Sequence, residues 1–468
     1  MLAVYRIPLA PARSRAMVRQ GSAIMSRLWS ILVVLLLTVP VGAVPQKILV
    51  LGDSQSEEYA FEVPFSAPDS DPDEANLSNW VEILAAERGS EVSFGSYKSD
   101  YLGYSDWRDG GYAFNWGVPA FETIDLHELL NPPDWPTSID EILDKASLPQ
   151  IEDQLNDDVG WAVIFCGAND VNGSYDDYYN GTVTEGTLNG IRDNLAEVID
   201  FIQSTNPAVK IVLVNVPDVG VTPDVIADHG NAAKRATATA KIALLNSKLA
   251  ALAASENVAL ADYFALTRQM DGPGDFYLNG TAFHKAGHDQ NPPQYLFAKD
   301  GFHPSTVAQA LVGNLILRAM NDRYGSSFTL LPNREILGDV LGLDPDQPFI
   351  DWKSAKGVAG TATADPDHDG VPLLVEFAVG LDPAEPGPPP WTVSTSAEAG
   401  IRMVFSFPRD QSHGYAVTTP EWSPNLAAES WQPVPSAWLT EDAARRYVKV
   451  PAAAGPRAFV RLRTSVAP

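Results

Sequence analysis

The sequence predicts an α/β chain: a five-stranded parallel sheet with helices on both faces, followed by a small all-β domain. Three observations predict it. First, the runs KILVLG (47–52), WAVIFCG (161–167) and KIVLVNV (210–216) are almost purely apolar, as strands buried on both faces are. Second, longer stretches of helical pattern separate those runs, the alternation that builds a parallel sheet. Third, after about residue 327 the composition turns to Asp, Pro and Gly, and then to short alternating runs such as IRMVFSF, RYVKV and AFVRLR, which read as a β module.

The elements follow in order. Residues 1–43 hold five arginines, no Asp or Glu, and the apolar stretch LWSILVVLLLTVPVGA. That pattern describes an export signal with cleavage after Ala43, and initiation at Met17 or Met25 would shorten its basic start. The rival is an uncleaved membrane anchor, against which the apolar run falls short of the ~20 residues a span needs. The first strand, 47–52, precedes a Pro-, Asp- and Ser-rich loop (62–78) and the helix SNWVEILAAERG, with Gly89 as its stop. EVSFGSY (91–97) reads as the second strand. A long segment rich in aromatics follows, among them Tyr101, Tyr104, Trp107, Tyr112, Phe114 and Trp116. After strand 161–167, the stretch TLNGIRDNLAEVIDFIQS puts Ile191, Leu195, Val198, Ile199 and Ile202 on one helical stripe. Strand 210–216, an alanine-rich helix, strand VALADY (258–263) and the helix STVAQALVGNLILRAMNDRY complete the alternation. The expected domains are the leader (1–43), the α/β domain (44–327), a linker (328–389) and the β module (390–468).

The 468 residues carry a net charge of −27, which becomes −32 once the five leader arginines are removed. That excess of acid argues against nucleic acid and against anionic membrane surfaces as partners. No second apolar span follows the leader, so stable membrane insertion is not expected after cleavage. The single cysteine, Cys166, leaves no internal disulfide and reads as a buried strand end.

Four short pieces carry chemistry: Gly52-Asp53-Ser54 in GDSQS, NWGVPA (115–120), GAND (167–170) and DGFHPS (300–305). Acyl transfer needs a nucleophile, a base, a carboxylate that orients the base, and donors for the oxyanion. Ser54, His303 and Asp300 fit the first three roles. Asn169 offers a side-chain N–H, and Gly117, without a Cβ, an approachable backbone N–H. The competing reading makes Ser54 a turn residue, Asn169 a helix cap and His303 a surface histidine. No Gly-x-Ser-x-Gly elbow, His-Glu-x-x-His zinc motif or phosphate-binding Gly-x-x-x-x-Gly-Lys loop occurs. His284 and His288, four apart, would share a metal only on a helix.

Taken together, and in this order, the four pieces resemble the blocks of the SGNH (GDSL-type) hydrolases, over about residues 47–322. The resemblance implies a flavodoxin-like three-layer α/β/α domain and a serine ester hydrolase that needs no metal for catalysis. It implies the triad Ser54, His303 and Asp300, with an oxyanion hole from Ser54, Gly117 and Asn169. Two features depart from the pattern: Gln55 stands where Leu is common, and Trp116 and Pro119 are unusual neighbours for the glycine, so that Gly110 and Gly111 are alternatives to Gly117. The expected substrates are small-molecule or polysaccharide carboxylic esters, met by an esterase or lipase or by a carbohydrate O-deacetylase outside the cytoplasm. The alternative function is a non-catalytic glycan-binding or adhesion protein on the same fold.

DPDHDGVPLLVE fits a calcium-loop pattern. Asp365, Asp367 and Asp369 take positions one, three and five, Gly370 the sharp turn, Val371 the carbonyl at seven and Glu376 the closing position. A structural calcium is expected there, bracing the junction between domains; the bland reading is an acidic, solvated turn. In the β module, Trp391, Trp422, Trp431 and Trp438 fit either a core or a sugar platform.

Overall fold

The computed structural model describes residues 44–60, 75–99, 104–108, 110–455 and 457–468. The expected leader, most of the 62–78 loop and Tyr101 lie outside them. Strand β1 (Gln46–Gly52) sends Ile48 and Val50 to one face and Leu49 and Leu51 to the other, all fully buried. The run is apolar throughout because neither face meets water.

Strand β2 (Val92–Ser93) pairs in parallel with the start of β1. The expected seven-residue strand 91–97 is cut short because Gly95 turns the chain at φ 88°. Next, β3 (Tyr97–Lys98) and β4 (Gly111–Tyr112) form a small antiparallel ladder. The chain then returns as β5 (Asn115–Gly117), alongside the second half of β1. On the other side of β1 come β6 (Trp161–Phe165), β7 (Lys210–Val214) and β8 (Ala259–Ala261), all parallel. The order β2-β1-β6-β7-β8 is the flavodoxin-like one, whose ligand crevice opens at the carboxyl ends of the strands that flank the reversal, here β1 and β6.

The helices are α1 (Trp80–Glu87), α2 (Thr123–Leu130), α3 (Ile139–Asp153), α4 (Ala168–Gly173), α5 (Tyr175–Asn180), α6 (Glu185–Thr205), α7 (Pro223–Asp228), α8 (Ala232–Ser255), α9 (Tyr263–Met270) and α10 (Thr306–Tyr324). Leu126 and Leu129 of α2, Ile151 of α3, the predicted stripe of α6, and Ile242 and Leu245 of α8 cover the Leu49 face. Val81 and Leu84 of α1 and Val312, Ile316 and Leu317 of α10 cover the Ile48 face. Between α9 and α10, β9 (Phe276–Leu278) and β10 (Thr281–Phe283) form a hairpin.

The stretch expected as a linker is folded: it holds α11 (Asn333–Glu335), α12 (Gln347–Ala355) and α13 (Leu373–Val379). Phe349, Leu373, Leu374, Ala378 and Val379 share a small core with Tyr415 and Ala416, and that apolar burial outweighs the turn-rich composition. Beyond it, β11 (Thr392–Thr395), β12 (Ile401–Pro408), β13 (Ala416–Ser423), β14 (Gln432–Pro433), β15 (Leu439–Glu441), β16 (Arg445–Pro451) and β17 (Phe459–Val466) make two antiparallel sheets, β11-β12-β16-β15 and β14-β13-β17. Phe405, Phe407, Val434, Val448 and Val450 fill the core, with Trp391, Trp422 and Trp438 packed against it. Trp431 lies under the Arg461 guanidinium, 4.2 Å from its ring centroid. No described helix is long and apolar enough to cross a membrane.

Candidate active site

Strand β1 ends at Gly52, where a Cβ would lie 2.6 Å from the Phe165 carbonyl oxygen. Only glycine lets β1 and β6 close here, and the chain turns at once. The N–H groups of Ser56 and Glu57 both donate to the Asp53 carbonyl, at 2.9 and 3.2 Å, which carries Ser54 around a tight turn above the sheet. The turn is held from several sides. Asn115 Nδ2 donates to the Ser56 carbonyl at 2.7 Å, Trp80 Nε1 to Ser56 Oγ at 3.1 Å, and Gln309 Nε2 to the Gln55 carbonyl at 3.3 Å. Such a cage fixes the position of Ser54.

Asp53 is buried beneath the turn and accepts from the Gln55 N–H at 2.9 Å. Burial pushes its carboxyl up to about 7, against the pull of the Gln55 N–H and the charge of His303, with Asp170 adding to the rise.

His303 arrives on the loop before α10, 249 positions from Ser54, and sets Nε2 2.9 Å from Ser54 Oγ. Its Nδ1 lies 2.6 Å from Asp300 Oδ2. The other oxygen, Asp300 Oδ1, accepts from the N–H groups of Phe302 and His303 at 2.9 and 3.1 Å, and Gly301 permits this hairpin-tight turn with φ 73°. Burial works to raise the Asp300 carboxyl, but the bond to His303, the charge of that ring and the two N–H groups outweigh it and hold the group below its ordinary value. An ionised Asp300 fixes the proton on Nδ1 and leaves Nε2 as the acceptor of the Ser54 hydroxyl proton. Tyr59 OH donates to the Pro304 carbonyl at 3.1 Å, so the segment after Ser54 and the His303 loop are tied together directly.

Asn169 is the second residue of α4, which starts as β6 ends. One of its two Nδ2 hydrogens goes to the Phe121 carbonyl at 2.9 Å, and the other has no acceptor among the described residues. Asp170 beside it accepts from Thr123 N–H at 2.9 Å and Thr123 Oγ1 at 2.6 Å, locking α4 to the start of α2.

Gly117, the expected donor, lies at the end of β5, buried beside the Ser54 turn. Its N–H points to Asn115 Oδ1 at 3.2 Å, and a Cβ would sit 2.6 Å from the Ser56 carbonyl carbon and also meet Glu57. The missing Cβ allows the close approach of β5 to the Ser54 turn. Gly111, the alternative, packs against the Glu58 carboxyl. Immediately after Gly117, Val118–Phe121 close a turn through Phe121 N–H to Val118 O at 3.3 Å, with Ala120 at φ 63°. Pro119 and a left-handed residue in the two central places make this a type II turn. Ala120 is exposed, and its N–H has no hydrogen-bond partner among the described residues. The same turn presents the Phe121 carbonyl to Asn169.

The remaining candidates fall elsewhere. His284 and His288 lie in a non-helical segment, and His284 Nδ1 faces Asp275 at 3.1 Å. Cys166 is buried, and burial raises its thiol pKa well above the ordinary value, the environment of an inert structural thiol. Asp365, Asp367 and Asp369 each bring a carboxylate oxygen within 4.8 Å of the others, with Val371 next in the loop and Glu376 in α13.

The family model for the GDSL-like lipase/acylhydrolase domain matches residues 48–316. Among solved structures, a carbohydrate esterase family 3 protein from Talaromyces cellulolyticus is 14% identical, with 60% of this chain and 100% of that one covered and a TM-score of 0.31. The extracellular lipase of Streptomyces rimosus is 15% identical, with 59% and 99% covered and a TM-score of 0.33. The psychrotrophic esterase EstA from Pseudoalteromonas sp. is 15% identical, with 60% and 100% covered and a TM-score of 0.31. No curated protein matches the chain.

Proposed function

Because the chain belongs to the GDSL-like lipase/acylhydrolase family, we propose that it is an exported serine hydrolase of carboxylic esters, with Ser54 as nucleophile, His303 as base and Asp300 as the residue that orients it. The observation that carries this reading is the unbroken relay Ser54 Oγ–His303 Nε2, His303 Nδ1–Asp300 Oδ2, at 2.9 and 2.6 Å. Those contacts already have the length a proton transfer needs.

In the first step Ser54 Oγ attacks the ester carbonyl as His303 Nε2 takes its proton. The developing oxyanion is met by the Ser54 N–H, the free Nδ2 hydrogen of Asn169 and the Ala120 N–H. Each donor of this kind is worth on the order of 3 kcal/mol of barrier. Asp300 stabilises the imidazolium without taking its proton. His303 then protonates the leaving alcohol, and a water activated by the same ring releases the acid.

Hydrolysis of p-nitrophenyl acetate by the purified protein, with Ser54→Ala as control, tests the reading. Activity that disappears in the variant supports it. Equal rates from the parent and Ser54→Ala would refute it, and a parent with no activity on short- or long-chain esters or on acetylated glycans would favour the binding-protein alternative.

A further inference from the structure

We propose that Asp365, Asp367, Asp369, the Val371 carbonyl and Glu376 bind one divalent cation of the calcium class, and that this ion locks α13 against the C-terminal β module. A cluster of acids alone would not carry this. The decisive residue is Glu376, 1% exposed, with neither carboxylate oxygen hydrogen-bonded among the described residues. Asp365 Oδ1 and Asp367 Oδ2 are likewise buried without a partner. Among the described residues, no Lys or Arg pairs with any of the four ligand carboxylates. A buried carboxylate without counter-charge or hydrogen bonds is costly, and a cation removes that cost.

The backbone is already wrapped for the ion. Gly370 N–H donates to Asp365 Oδ2 at 3.0 Å, Asp369 N–H to Asp367 Oδ1 at 3.2 Å and Val371 N–H to Asp369 Oδ1 at 2.8 Å. These bonds fold the side chains inward across a loop whose bends fall at His368 (φ 63°) and Gly370 (φ 91°). The Val371 carbonyl accepts no hydrogen bond among the described residues. The donor set is all oxygen, with spacing and closing glutamate suited to a large, flexible coordination sphere, which favours calcium over magnesium.

The same loop joins parts that are far apart in the chain. Asp369 Oδ2 accepts from Gly387 N–H at 3.0 Å, fixing the segment that leaves α13 for the β module. Gln411 N–H of that module donates to the Ala378 carbonyl of α13 at 2.7 Å. Ordering Glu376 therefore orders the helix on which the module rests.

The test uses the full chain stripped with EDTA and titrated with calcium chloride, read by calorimetry and by melting temperature. One site per chain is expected, with a melting temperature higher by several degrees at saturation. Magnesium chloride should give a smaller shift at equal concentration. Glu376→Gln should lose the calcium response yet melt, without calcium, no lower than the calcium-free parent, because the buried charge is gone. Asp367→Asn serves as the second variant and should weaken binding at least tenfold. No heat and no melting shift in the parent up to about 10 mM calcium, roughly tenfold above the dissociation constants of the weakest loops of this kind, overturns the proposal; so does Glu376→Gln binding calcium as tightly as the parent.

Discussion

In the triad proposed above, Asp300→Asn isolates the orienting carboxylate from the rest of the site. Asparagine keeps the side-chain oxygen that accepts from the Phe302 and His303 N–H groups, so the turn survives. What changes is the atom 2.6 Å from His303 Nδ1, where an amide N–H replaces a carboxylate oxygen. Two costs follow. The imidazolium formed during attack loses a counter-charge, worth about 4 kcal/mol for charges about 4 Å apart at an effective dielectric of about 20. At 1.36 kcal/mol per tenfold, that is about a 10³-fold loss in rate. In addition, the amide hydrogen favours the wrong tautomer, with the proton on Nε2 facing Ser54, which brings the expected loss in kcat to about 10³–10⁴-fold. The assay is steady-state p-nitrophenyl acetate hydrolysis at neutral pH, with circular dichroism and melting temperature as fold controls. A folded Asp300→Asn protein within tenfold of the parent kcat would remove Asp300 from the mechanism.

Further expectations concern the donors and the base of the site. Asn169→Ala should lower kcat by about 10²–10³-fold with little change in KM; a change in KM alone would make Asn169 a binding residue. Ala120→Gly keeps the N–H and relieves a left-handed residue, so activity should persist and stability shift by no more than about 1 kcal/mol, whereas Gly117→Ala should lower melting temperature and kcat together because its Cβ displaces Ser56 and Glu57; an unaffected Gly117→Ala enzyme contradicts that packing. Asp53 has a raised folded-state pKa, so the folded state holds a proton that the unfolded state has released between the ordinary value of 3.8 and about 7. The parent's stability should therefore fall as pH rises through that window, and Asp53→Asn should gain on the parent from pH 5 to pH 8 in melting experiments; a constant difference across that range refutes the assignment.

The sheet was legible because its central strands are covered on both faces, so β1, β6 and β7 show unbroken apolar runs. Strand β5 was not, since three residues with a proline close behind carry no period. The folded stretch 328–389 was also hidden. Its core is assembled from Phe349, Leu373 and Tyr415, too far apart for any local window to register. At the site, Ser54, Asn169 and His303 stood out through their motifs, and Asp300 through its three-residue spacing. Gly117 was read as a donor because it lacks a Cβ, and the structure shows that the same lack also lets β5 pack against Ser56 and Glu57. Ala120, the donor proposed above, gave no signal, because type II turns ordinarily announce themselves by Gly or Asn at that place.

The hairpin β9–β10 is gripped by the far end of the chain. Tyr277 stacks on His413 with centroids 4.0 Å apart, Gly280 N–H donates to the His413 carbonyl at 3.0 Å, and Asn279 Nδ2 donates to the carbonyl of Pro468 at 3.1 Å. That hairpin opens directly into the stretch that delivers His303. Trimming the terminal sheets would release the hairpin from all three contacts at once, so a shortened chain is expected to lose order in the stretch leading to His303 as well as in the module itself.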